Sequence, residues 1–153
     1  MTQEDKMLLI KDLSARLPYA VTVEHISGFR GTLHDITIHH KYDEQDNVYD
    51  AICFTDFFGD NDCIDIEYFK PYLFPLSSIK EEQWRELFET AGYEVREEDC
   101  GRHTEMYYYE MVGRENTLYP NCDAIDWLNT HHFDYRGLIE KGLAIDATGL
   151  NVY

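Results

Sequence analysis

The interval at which apolar residues recur changes several times along this chain, and each change excludes a uniform architecture. Leu9, Leu13 and Leu17, with Ile10, repeat at the three-to-four-residue interval of one helix face, and Pro18 ends the run. Thr2 and Asp5 stand ahead of them at capping-box spacing, with Asp where Glu or Gln is more usual. The spacing predicts a helix over residues 2–17. After Tyr19 the interval falls to two: Val21 and Val23 alternate with Thr22 and Glu24, "GFRG" (28–31) supplies a turn, and "GTLHDITIHH" (31–40) reads as a second strand. Its apolar phase slips between Leu33 and Ile36, which places a bulge near His34 or Asp35. Beyond the loop "KYDEQDN" (41–47), residues 48–58 and 63–69 alternate again as strands, and "KPYLFPL" (70–76), with two prolines, is extended or irregular.

The helical interval then returns. Ser78, with Glu81 at capping-box distance, opens a helix that runs to Gly92 and carries Ile79, Trp84, Leu87 and Phe88 on one face. "TEMYYYEMV" (104–112) has strand composition. Asn121 caps a last helix with Ile125, Leu128 and His132 on a stripe, and "GLIEKGLAI" (137–145) forms a short helix or turn. This order of elements predicts an α+β fold: a bent, mostly antiparallel sheet with two or three packed helices. At 153 residues the chain reads as a single domain, 1–153, with residues 81–119 as a candidate insertion.

Charge narrows the function. Thirty acidic against thirteen basic side chains leave a formal charge of −17. That balance repels phosphate backbones, so direct nucleic-acid binding is not expected. It suits solubility, a basic protein surface, or imitation of a nucleic acid's own charge. The amino terminus, "MTQEDKMLLIKDL", is acidic and its apolar run is four residues long, which does not match a signal peptide. No stretch approaches the roughly 20 apolar residues of a membrane span, so a cytoplasmic location is the expectation. Cys53, Cys63, Cys100 and Cys122 contain no C-x-x-C pair and read as free thiols.

Three stretches together resemble a known set: "LLIKDLSARLPYAVTV" (8–23), "IEYFKPYLFPLSSI" (66–79) and "IDWLNTHHFDYRGLIEKGLAI" (125–145). The set consists of small uncharacterised proteins carried by phages and mobile elements of gut anaerobes. Its members share an "LPYGV"-type strand, a "KPYLRPLSSM"-type segment and a "DWLNxHHFDYRGLI" segment. The resemblance covers a third of the chain and implies a mobile-element origin without an activity. Phe74 stands where the set has arginine, so no role of that arginine carries over. "VTVEHISGFRGTL", a strand–turn–strand after a helix, is also similar to the start of SH3-like or Sm-like small barrels. Fold likeness does not carry RNA binding with it, and the charge opposes such binding.

Three constellations bear on chemistry. In "HHFDYR" (131–136) the adjacent histidines point about 100° apart on a helix, which does not suit one metal. Asp134 with Arg136 can close a local ion pair, and the stretch reads first as an architectural turn. Residues 43–67 hold nine carboxylates and no lysine or arginine, in neither register of a calcium-binding EF-hand. On a strand, every second carboxylate recurs at about 6.6–6.8 Å, a geometric basis for charge mimicry. Tyr107, Tyr108 and Tyr109, with Met106 and Met111, suit core packing, a protein interface or base stacking.

There is no P-loop, G-x-G-x-x-G, H-E-x-x-H or G-x-S-x-G, and neither a cofactor nor a metal is expected. The leading expectation is a non-enzymatic acidic interaction protein, an accessory factor of a phage or mobile element. Asp43, Asp46, Asp50, Asp56, Asp60 and Asp62 would face a host protein with a basic surface. The alternative is a small-molecule or nucleotide-binding, sequestering protein using Tyr108, His131, Tyr135 and Arg136, whose guanidinium suits phosphate or carboxylate. A third reading is a metal-dependent hydrolase built from scattered His and Asp.

Overall fold

The computed structural model describes residues 1–33, 35–42, 48–53, 63–64, 66–92 and 122–153. Along the chain, α1 (Gln3–Arg16) is followed by strands β1 (Thr22–His25), β2 (Arg30–Thr32), β3 (Thr37–Tyr42), β4 (Val48–Cys53), β5 (Cys63–Ile64) and β6 (Phe69–Pro75). Then come α2 (Glu81–Thr90), α3 (Cys122–Thr130), β7 (Phe133–Asp134) and β8 (Ile145–Asp146). With three helices and a mixed, open sheet among the described residues, the fold is α+β, as expected. The chain divides into two compact units, Met1–Phe74 with Arg136–Tyr153, and Pro75–Tyr135.

In the first unit α1 starts where its cap is. The Thr2 hydroxyl oxygen accepts from the Asp5 amide at 3.1 Å, and the Asp5 carboxylate accepts from the Thr2 amide at 3.4 Å. This closes a capping box with Asp in the third position. The helix ends at Arg16; Pro18 lies in a 3-10 turn, Leu17–Tyr19, and Ala20 takes the left-handed conformation. β1 and β2 form an antiparallel hairpin, and β1 pairs antiparallel with β6 through Val23–Pro71, Glu24–Lys70 and His25–Phe69. β8 runs parallel to β6, opposite Tyr72 and Leu73, which makes the sheet mixed. The proline-bearing segment that the sequence left as extended or irregular is therefore a strand with partners.

A second sheet of three strands has β4 at its centre. β3 and β4 pair over six positions from Thr37–Cys53 to Tyr42–Val48, and β5 adds Ile52–Ile64 and Cys53–Cys63. The strand expected over 48–58 is described as far as Cys53, and 54–62 lies outside the described residues. The run expected as one strand over 63–69 is instead β5, a 3-10 turn (Ile66–Tyr68) and the start of β6. His34, one of the two positions of the expected bulge, lies outside the described residues.

The core of this unit gathers Leu9, Ile10 and Leu13 from α1, Val21 and Val23 beside and in β1, Phe69 and Leu73 from β6, and Leu138 and Leu143 from the last segment. The two sequence periods meet there, since helix stripe and strand alternation each present one apolar face.

In the second unit α2 starts two residues later than Ser78 suggests. The Ser78 hydroxyl donates to the Pro75 carbonyl at 2.7 Å and closes a 3-10 turn, Leu76–Ser78. The helix begins after Lys80, whose amide donates to the Gln83 side chain at 3.0 Å. Its end is as expected: Gly92, at φ +83, donates its amide to the Glu89 carbonyl. Trp84, Leu87 and Phe88 are buried, the two aromatic rings are stacked at 5.7 Å, and α2 packs on α3. α3 buries Ala124, Trp127, Leu128 and Asn129, with Ile125 half-buried. The expected strand 104–112 and the cap Asn121 lie outside the described residues.

Candidate functional site

The β1–β2 hairpin turns on three residues, Ile26, Ser27 and Gly28. His25 donates its amide to the Phe29 carbonyl at 2.9 Å, and Gly28 donates to the His25 carbonyl at 2.8 Å. Gly28 sits at φ +86, the left-handed position that follows a tight turn in a three-residue hairpin loop. Ile26 also donates to the Tyr68 carbonyl at 2.9 Å, which ties the 3-10 turn before β6 to the hairpin tip. The tip is apolar where turns are usually polar. Ile26 is 69% exposed, Phe29 60% and Tyr68 40%.

His25 and Ser27 form the one arrangement at this tip with the look of a nucleophile and base. The hydroxyl oxygen of Ser27 stands 2.6 Å from His25 Nδ1. The Ser27 amide donates to the same nitrogen at 3.2 Å. Two groups of one residue converging on a ring two positions back is what a polar turn does of its own accord. The ring of His25 lies against those of Phe69 (5.0 Å) and Tyr68 (6.2 Å).

Behind the tip lies a polar clamp. Glu24 on β1 faces Arg30 on β2 and Lys70 on β6 in the register. Arg30 Nε donates to Glu24 Oε2 at 2.7 Å, and the Tyr72 hydroxyl donates to the same oxygen. The Arg30 guanidinium also lies over the Tyr72 ring, 4.9 Å from its centroid. The hydrogen bond from Tyr72, then that from Arg30, hold the Glu24 carboxyl below its usual range. Burial first, and the bond to Glu24 second, push the Tyr72 hydroxyl up to about 12. The carbonyl of Tyr72 accepts from the Tyr153 hydroxyl at 2.6 Å. Phe74 packs its ring against Tyr153 at 5.9 Å.

Of the "HHFDYR" residues, His131 and His132 were expected as the last positions of the helix, but α3 ends at Thr130 and both lie in the turn after it. His131 Nδ1 is 2.9 Å from the Trp127 carbonyl, and its ring is stacked on the Trp127 indole at 3.9 Å. His132 is buried and left-handed, at φ +58, and its amide donates to the Asn129 carbonyl. The pair thus sits in the turn at which the helix ends. Phe133 stacks on the same Trp127 indole at 5.8 Å, and Tyr135 is half-buried. Arg136 belongs to the first unit, where its Nε stands 3.3 Å from Asp12 Oδ1. Tyr108 lies outside the described residues.

Among the acidic candidates, Asp50 is on β4 opposite His40. Asp43 and Asp46 fall within residues 43–47 of the sequence. They lie outside the described residues, as do Asp56, Asp60 and Asp62. Among the described residues no group of three His, Cys, Asp or Glu is arranged to hold a metal ion, and no helix is long and apolar enough to cross a membrane.

Sequence reading passed over Ile26, Phe29 and Tyr68. The signal was present in "HISGF": two large apolar residues flanking the glycine of a turn, where polar residues usually sit. Comparison with family models, curated proteins and solved structures gave no match.

Proposed function

We propose that the chain is a non-enzymatic interaction protein, an accessory factor of a phage or mobile element that docks on a host protein. Ile26, Phe29 and Tyr68 seat in an apolar recess of that partner, and the carboxylates of residues 43–62 direct the approach to a basic surface around it. The exposure of Ile26 and Phe29 on the hairpin tip, and of Tyr68 on the turn bonded to it, carries this reading. Burying a side chain such as Ile or Phe contributes roughly 1.5–3 kcal/mol. A contact of that kind anchors a complex, whereas the net charge of −17 acts mainly on encounter rate and choice of partner.

The test compares tagged wild type with two variants in affinity capture from host-like extract, at low and moderate salt. One variant is Ile26→Asp with Phe29→Asp; the other reverses Asp43, Asp46 and Asp50 to lysine. The expected result is one stoichiometric partner, lost from the tip variant at both salts and weakened by charge reversal or added salt. An unchanged set of captured proteins with both variants, each verified as folded by circular dichroism, would remove the reading.

A further inference from the structure

We propose that Cys53 and Cys63 are a redox pair that forms an intrachain disulfide across β4 and β5. The two are direct partners in the antiparallel register, next to the pair Ile52–Ile64. Facing residues of antiparallel strands have Cα atoms about 4.5 or 5.5 Å apart, according to which kind of pair they form. Both spacings fall within the range of about 4.4–6.8 Å that a disulfide spans. The register therefore meets the backbone requirement without movement of either strand. A slip of one residue would place the cysteines on opposite faces, so the match depends on this pairing. Sequence spacing alone gave no such indication, because nine residues separate the two and no C-x-x-C is present.

The chemistry is thiol–disulfide exchange with a small disulfide such as oxidised glutathione. One protein thiolate attacks a sulfur of the small disulfide, forms a mixed disulfide and expels one small thiolate. The other protein thiolate then attacks the mixed disulfide at the protein sulfur and expels the second small thiolate. Two protein thiols lose two electrons and two protons, and the small disulfide leaves as two thiols. The product closes a ring around residues 54–62, which contain Asp56, Asp60 and Asp62. The pairing is independent of the docking role proposed above.

The experiment equilibrates the full chain with defined ratios of reduced to oxidised glutathione, in buffer and in strong urea. Free thiols are then trapped by alkylation and the linkage is mapped by peptide mass spectrometry. The expected product is a Cys53–Cys63 linked peptide two hydrogens lighter than the reduced pair. Its equilibrium constant should be about tenfold or more larger in buffer than in urea, where only chain proximity assists the exchange. Cys53→Ser and Cys63→Ser each abolish it, and Cys122→Ser leaves it unchanged. The proposal is overturned by four alkylated thiols or only mixed disulfides at the most oxidising ratio, by a linkage to Cys100 or Cys122 instead, or by equal constants in buffer and urea.

Discussion

Asp12 receives two guanidinium groups in a place that water does not reach. It and Arg16 are both fully buried, one helical turn apart, joined at 2.7 and 3.2 Å. Arg136 comes from the last segment of the same unit to within 3.3 Å. Buried ion pairs contribute little over an apolar replacement of the whole group, but removing one partner strands the others. Asp12→Ala is therefore expected to cost about 3–5 kcal/mol in urea unfolding. A loss below about 1 kcal/mol, the scale of an exposed pair, would show that the carboxylate is not needed to neutralise the arginines. Along the chain the nearest acid to Arg136 is Asp134, two positions away, whereas Asp12 lies almost a whole chain away. Tyr72 gives a second test at this scale. Its hydroxyl is held near 12 in the fold and titrates near 10 when unfolded, so the folded state binds the proton more tightly between those values. Its contribution is complete below about pH 10 and is lost as pH rises through about 12. Urea midpoints measured from pH 9 to 12 should fall more steeply for wild type than for Tyr72→Phe. Parallel slopes would contradict the assignment. The other tyrosines contribute equally to both proteins and cancel in that difference.

At the scale of elements, the helices were more legible than the strands. α1 could be read to within a residue at each end, because its leucine stripe, Thr2 cap and Pro18 stop all agree. Thr2→Ala removes the acceptor for the Asp5 amide and should lower stability by about 1 kcal/mol. Calorimetry showing no change would mean that this end of the helix is frayed in solution. The start of α2 was misread because a serine hydroxyl has two uses. Ser78 turned back to the Pro75 carbonyl, and Gln83 was left to satisfy the Lys80 amide. β6 was left open because its prolines each lack a donor, while its pairing with β1 and β8 is decided by residues distant in sequence. The tip of the β1–β2 hairpin shows the same limit for the site. "GFRG" was legible as a turn, but exposure of Ile26 and Phe29 depends on what the rest of the chain covers.

For the whole molecule, thirty carboxylates against thirteen basic groups are gathered into a compact state that self-repulsion opposes. Salt shortens the range of that repulsion, from a Debye length of about 30 Å at 0.01 M to about 8 Å at 0.15 M. The urea midpoint is expected to rise across that interval of sodium chloride. A fall would mean that local ion pairs such as Glu24–Arg30 outweigh the net charge. The order of the two units along the chain has a consequence for how the protein is made. The first unit needs Leu138, Leu143 and Ala144 for its core and Ile145–Asp146 for its parallel strand, whereas Pro75–Tyr135 is continuous. On the ribosome, at about 5–20 residues per second, the unfinished amino-terminal half waits several seconds while the intervening segment is synthesised. During that interval Val21, Val23, Phe69 and Leu73 lack part of their cover, so nascent chains halted before residue 136 are the form most exposed to chaperones and proteases.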